Sequence, residues 1–309
     1  MTGFMSPQYR SYIHPKYWPT WLIIGFFRSV VWLPWALQKV VAHLLAWLLY
    51  LLAGKRRHIV EVNLKLCFPE WDDAVRKRKT REVFFNNMLG LIESANGYYY
   101  SPQKLRSMVA VSGLEKLREA RAAGRGILLL GAHYSHLDFG GALFALHEPT
   151  SVIYRPHNNP LMDLYIKNQR SKFLTSVIER KDMRGIARAL KNNEVVWYPP
   201  DQDYGRKHAV FAPFFGINAA TITATARLAR LNRSPVFTIC YRRDADRQRY
   251  ILEVEPLGVE FPTGDDVRDA TIINRALESR IRRAPTQYMW THRRFKTQPD
   301  QVKKASLYQ

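Results

Sequence analysis

The chain has little cysteine and little acid. Two cysteines in 309 residues, Cys67 and Cys240, cannot build a disulfide framework. They read as reduced thiols, Cys67 as a core residue. Asp and Glu number 26 against 47 Lys and Arg, leaving a formal charge of +21. There is no zinc-finger or RNA-recognition signature, and the basic residues are not gathered onto one helix, which excludes the usual nucleic-acid modules. No G-x-S-x-G elbow is present, which argues against a serine hydrolase of that type. No internal repeat or low-complexity segment is found. A hydrophobic fraction of 47% excludes a disordered basic tail and is enough for a sizeable core. The partners expected for such a charge are acidic: anionic lipid, phosphorylated ligands or an acidic carrier protein.

What is abundant is apolar sequence near the N-terminus. Residues 17–53 hold five tryptophans, Trp18, Trp21, Trp32, Trp35 and Trp47, and end against Lys55-Arg56-Arg57. The run is too long for a signal peptide and lacks a small-residue cleavage site. Residues 17–37 have the length of one bilayer crossing, with Arg28 and Pro34 as internal objections, while residues 40–53 are purer but short. A span over 17–37 is the expected arrangement, with a pair of interfacial helices as the alternative. Either gives a membrane anchor over 1–54 and a cytoplasmic domain over 55–309, with the Lys/Arg flank on the cytoplasmic side. A chain starting near residue 55 is expected to keep its fold.

Beyond residue 72 a helix is predicted over 73–96. Strand and helix patterns then alternate: strands at 127–130, 151–154, 176–178, 195–198, 236–241 and 250–254, and helices at 137–146, 161–172, 183–191, 221–231 and 267–282. Alternation of this kind predicts an α/β fold, a mixed sheet with helices on both faces.

The fully apolar strand ILLL at 127–130 runs into Gly131-Ala132-His133-Tyr134-Ser135-His136-Leu137-Asp138-Phe139-Gly140-Gly141. Ligands of open α/β sheets bind at the carboxyl ends of strands, and His133 is placed there. Five residues of continuous helix would set His133 and Asp138 about 140° apart. The two side chains meet only if His133 precedes the helix and Asp138 lies in its first turn. Asp138 would then fix the imidazole tautomer and leave the other nitrogen as a base for a hydroxyl. A packed strand-end histidine and a helix-start carboxylate are the bland alternative. A metal set of His133, His136 and Asp138 fits no familiar spacing.

H-x-x-x-x-D after a buried strand resembles the signature of membrane acyltransferases that transfer a fatty acyl chain to a hydroxyl. Further motifs are more specific. They are NLKLCFPE at 63–70, Tyr154-Arg155-Pro156 with Asn159-Pro160, Arg180-Lys181-Asp182 with Gly185, PDQDYG at 200–205, and QYMW at 287–290 continuing to RFK at 294–296. Together they resemble the lipid A secondary acyltransferases over residues 14–299. The motif set is most similar to the lauroyltransferase branch, although that branch usually carries Glu where this chain has Asp138. The resemblance implies a glycerolipid-acyltransferase-like fold and transfer of a fatty acyl chain, lauroyl by this branch, from acyl-acyl carrier protein to a hydroxyacyl chain of phosphorylated Kdo2-lipid IVA. It places the reaction at the cytoplasmic side of the inner membrane, with no cofactor and no metal. A late myristoyltransferase or a lysophosphatidate acyltransferase are the alternatives, the latter disfavoured by PDQDYG in place of a glycine-rich phosphate motif. In this reading His133 is the general base and Asp138 its orienter. Arg155 and Arg180 bind phosphate, and Asp201 and Asp203 line the rim. Backbone N–H groups near Gly140, or else Arg155, face the oxyanion, and His136 lines the pocket.

Overall fold

The computed structural model describes residues 7–244, 246–299 and 307–308. Five helices precede the first strand: α1 (Trp18–Val30), α2 (Trp35–Leu52), α3 (Gly54–Cys67), α4 (Asp73–Tyr99) and α5 (Pro102–Ser107). There follow β1 (Val109–Ser112), α6 (Leu114–Ala122), β2 (Ile127–Gly131), α7 (Leu137–Ala145), β3 (Thr150–Tyr154), α8 (Pro160–Arg170) and β4 (Ser176–Glu179). The chain continues through α9 (Met183–Lys191), β5 (Val195–Tyr198), β6 (Ala209–Phe214), β7 (Ile217–Ile222), α10 (Ala224–Asn232), β8 (Val236–Asp244), β9 (Arg249–Pro256) and α11 (Asp266–Arg283).

Seven strands form one mixed sheet in the order β1-β9-β8-β2-β5-β3-β4. Every neighbouring pair is parallel except β8 with β9. The central strand β2 is buried at every residue, as a strand covered on both faces requires. Chain direction across the sheet sorts the helices. From β2 to β3 and on to β4 the chain moves one way, so right-handed crossovers place α7 and α8 on one face. It returns from β4 to β5 and then to β8, which places α9 and α10 on the other.

The expected helix over 221–231 starts later, because residues 209–222 form a hairpin that apolar periodicity alone did not signal. Its two-residue turn, Phe215-Gly216, has both residues in the left-handed region (φ 53° and 77°), as tight hairpins prefer. Phe215 tolerates this because its N–H donates to Glu278 (2.7 Å) and its ring packs against Phe68, Trp290 and Arg282.

The N-terminal apolar run is not one crossing over 17–37. It breaks between α1 and α2, where Pro34 ends the first helix's direction and begins the second. Gln38, fully buried, donates to the carbonyls of Val31 and Leu33 and accepts from Asn96 on α4. Those bonds satisfy backbone groups that a helix end leaves open. The Arg28 guanidinium lies 5.4 Å from the Tyr99 ring. α2 runs antiparallel along the second half of α4, from Gln38 beside Asn96 to Tyr50 beside Phe84, and buries the small residues Ala42 and Ala46. Its other side is an exposed stripe of Leu37, Val40, Leu44, Trp47, Leu48, Leu51 and Leu52. α2 is the single described helix long and apolar enough to cross a membrane.

Candidate active site

His133 lies just past the carboxyl end of β2. Leu130 of β2 pairs with Tyr198 of β5. His133 is three residues beyond Leu130, and Asp201 is three residues beyond Tyr198. Equal offsets from a paired register bring the two side chains together. The Asp201 carboxylate meets His133 Nδ1 at 2.5 Å, and its other oxygen accepts the His133 backbone N–H at 2.8 Å. Asp201 is fully buried, and the buried Tyr288 hydroxyl bonds to it as well. Burial alone would raise the Asp201 pKa, but the His133 imidazole and these hydrogen bonds outweigh it and hold the carboxyl below its ordinary value.

The expected partnership of His133 with Asp138 is therefore corrected. Asp138 does lie in the first turn of α7, but its carboxylate is taken by Arg170 of α8, at 2.7 Å from Nε and 2.6 Å from an Nη. Tyr98, half-buried beside it, adds a hydrogen bond. Arg170 was missed because no local pattern marks it; only its ion pair across from α8, 32 residues away in sequence, reveals it. Asp201 was expected at the substrate rim and instead lies beneath the imidazole.

Asp203 is likewise not at the rim. It is buried, accepting from the Thr297 N–H and hydroxyl and the Gly205 N–H. Its own N–H donates to His292 Nε2 at 3.1 Å, a bond only neutral imidazole accepts. Burial is the main cause that lowers the His292 pKa to about 4. Gly140 is not an oxyanion donor, since its N–H bonds to the His136 carbonyl (2.9 Å). It is glycine for packing: a Cβ there would lie 2.4 Å from the Tyr241 ring. His136 is buried among Tyr134, Tyr241 and Tyr250 rather than facing the cavity, and burial lowers its pKa well below the ordinary value. The metal set is not assembled either: His133 is bonded to Asp201 and Asp138 to Arg170, while His136 lies among the tyrosine rings.

The C-terminal motif has a positional meaning. Tyr288 bridges Tyr134, the Ser135 N–H donates to the Gln287 carbonyl (2.8 Å), and the Met289 N–H donates to the His133 carbonyl (2.9 Å). Residues 287–289 thus clamp the His133 loop. From below, α4 presses against it: a Cβ on Gly90 would lie 2.1 Å from the Ser135 carbonyl oxygen. The N-terminal motif joins the same assembly through Asn63, which donates to the Trp290 and His292 carbonyls (2.7 and 2.8 Å).

His133 opens onto a cavity of about 590 Å³. Arg155 and Arg180 line it, as expected from sequence, together with Lys207, His208 and Arg227. The cavity straddles the carboxyl edge of the sheet. Register puts Val152, Trp197 and Tyr241 on the α7 face, and Ile153 and Tyr198 on the α9 face. All five line it. A base held by a buried carboxylate, above a greasy cavity with a cationic rim, suits deprotonation of a lipid hydroxyl.

Comparison with known proteins gives the same direction. Residues 5–297 match the family described as bacterial lipid A biosynthesis acyltransferase. The chain is 37% identical over 300 residues to a lipid A biosynthesis palmitoleoyltransferase of Escherichia coli K12, covering 97% of each chain. It is 38% identical over 291 residues to a lipid A biosynthesis lauroyltransferase of the same organism, covering 94% of this chain and 95% of the relative. To the myristoyltransferase of that organism it is 26% identical over 305 residues, covering 97% and 94%.

Proposed function

The chain belongs to the bacterial lipid A biosynthesis acyltransferases, and from that footing we propose that His133 is the base that activates the acceptor hydroxyl. The observation that carries this is the His133–Asp201 pair: Nδ1 is engaged by a buried carboxylate, which keeps its proton there and leaves Nε2 to accept one. The acceptor is a hydroxyacyl chain of phosphorylated Kdo2-lipid IVA, and the donor is an acyl thioester of acyl carrier protein, with lauroyl the first chain to test. Nε2 takes the hydroxyl proton as the oxygen attacks the thioester carbonyl. The tetrahedral oxyanion collapses, the C–S bond breaks, and the imidazolium returns its proton to the departing thiolate. The products are an ester and a free thiol, and no covalent enzyme intermediate is needed. With the Gly140 N–H occupied, Arg155 is the candidate left for the oxyanion. Arg180, Lys207 and Arg227 suit the acceptor's phosphates.

In this reading α1 and α2 lie within the cytoplasmic leaflet of the inner membrane. Trp18, Leu22, Phe26, Trp32, Leu44 and Trp47 are all exposed on these two helices and the turn between them, and exposed apolar side chains gathered there favour a membrane surface. The opposite side of α2 is committed to α4, which favours lying along the leaflet over crossing it. The test is incubation of the purified enzyme with lauroyl-carrier protein and Kdo2-lipid IVA, with mass spectrometry of the lipid. The wild type should add one acyl chain, and His133→Ala should lose about 10²–10⁴-fold in rate without loss of folding. Near-normal turnover by that variant would retire the assignment.

A further inference from the structure

Two adjacent glycines in the middle of α7 have opposite environments. Gly140 is required by Tyr241, as described above. Gly141 has no packing reason to be glycine: a Cβ there would meet nothing within 4 Å, and its backbone is not in the left-handed region. Glycine inside a helix costs about 0.5–1 kcal/mol relative to alanine. What Gly141 faces is the cavity. Leu137, Gly141 and Phe144 recur at helical spacing and all line it, so a single stripe of α7 forms one wall, and Gly141 is a recess in that stripe.

The floor opposite this wall is β3. Tyr154, Val152 and Thr150 share its α7 face and line the cavity, carrying it about 13 Å down from the carboxyl edge. Gly141 is one turn past Asp138 and one turn short of Phe144, so it sits partway down. Phe173 and Leu174 complete this branch, and Arg170, which also lines it, is neutralised by Asp138. The α9 side differs. There Ile153, Ile186 and Leu228 are topped by Arg155, Arg180 and Arg227.

The geometry points to a division of labour: the uncharged branch under α7 holds the donor's acyl chain, Gly141 sets how long a chain it accepts, and the cation-rimmed branch under α9 holds the phosphorylated acceptor's chain. This rests on the acyl-transfer reading and deepens it. The reasoning is chemical. The donor's chain is a neutral alkyl group and needs no cation, whereas the acceptor brings phosphates and needs several.

The test uses the full-length enzyme and its Gly141→Ala, Gly141→Leu and Met183→Trp variants. Donors are carrier-protein thioesters with 10, 12, 14 or 16 carbons, and a parallel arm measures displacement of a fluorescent fatty acid by unlabelled acids of the same lengths. Gly141→Ala should fold at least as stably as wild type. Gly141→Leu should shift the preferred donor shorter by two carbons or more. Each methylene it excludes should cost about fourfold in kcat/KM, from about 0.8 kcal/mol per buried CH₂. Met183→Trp, at an exposed position on the other branch, should raise the acceptor KM and leave donor preference unchanged. An equal loss for all donor lengths in Gly141→Leu, or a donor shift from Met183→Trp instead, would overturn the inference. Should wild type turn over none of the thioesters, the transfer reading fails. The displacement arm then decides the branch by itself: a length cut-off that moves with Gly141 supports it, and an unmoved one rejects it.

Discussion

Replacing Asp201 by Asn should disable the enzyme far more than the same change at Asp138. In the wild type the Asp201 carboxylate accepts from both His133 Nδ1 and the His133 backbone N–H. An amide offers one oxygen and one NH₂. If the oxygen keeps the backbone N–H, the NH₂ faces Nδ1 and donates to it. The imidazole proton then moves to Nε2, the nitrogen that must accept the hydroxyl's proton. The general-base contribution, about 10²–10⁴-fold, is lost nearly whole. Binding is little changed, because Asp201 is buried away from the cavity. Asp138→Asn instead weakens one ion pair with Arg170 at a half-buried site, and should cost about tenfold or less. The assay is kcat and acceptor KM for both variants, with thermal unfolding of each as the control for folding. A well-folded Asp201→Asn enzyme within threefold of wild type, alongside an Asp138→Asn enzyme down more than a hundredfold, would refute the reasoning and restore Asp138 as the orienter.

Other outcomes follow from the same geometry. The folded-state pKa of His292 is about 4, below the ordinary value of about 6.5, so its contribution is complete above pH 6.5 and declines as pH falls toward 4. Between pH 7 and 5 this should remove on the order of 2 kcal/mol from the urea-unfolding free energy, and His292→Asn should flatten the slope; equal slopes in both proteins would sink the idea. Removing residues 1–53 should give an unstable protein rather than an intact catalytic domain, because it strips α2 from Leu89, Ile92 and Asn96 of α4. A soluble, cooperatively melting product at the wild-type Tm would contradict that. Arg180→Ala should raise the acceptor KM, and added salt should do the same in wild type, since surface charges reach only about 8 Å at physiological ionic strength. A KM insensitive to both would assign the basic rim to solubility alone.

The central strand, the placement of His133 and the α/β alternation were legible because each depends on contiguous residues. Four apolar residues need two covered faces, and a histidine after them reaches the carboxyl edge. The partner of His133 was not legible, because the choice between Asp138 and Asp201 depends on β5 lying next to β2 with a particular register. Nothing near residue 133 encodes that. The sequence offered the nearest carboxylate, and the fold supplies one 68 residues away. The break of the apolar run into two helices was not legible for a related reason. Hydropathy counts apolar residues but not the side on which they fall, and Gln38, Ala42 and Ala46 mark a side already occupied by α4.

α4 carries α2 along one side and the His133 loop against Gly90, so a single helix lies between the exposed apolar stripe of α2 and the His133 imidazole. With α2 on the leaflet as proposed, the height of the base above it would be a constant of the molecule rather than a fluctuating quantity. In the proposed arrangement a lipid hydroxyl diffusing in two dimensions would meet the base at one depth only, and a hydroxyl set deeper or shallower along its chain would pass without reacting. Regioselectivity toward one position on the acceptor would thus be a matter of elevation, set by the thickness of α4 as much as by any contact with the sugar.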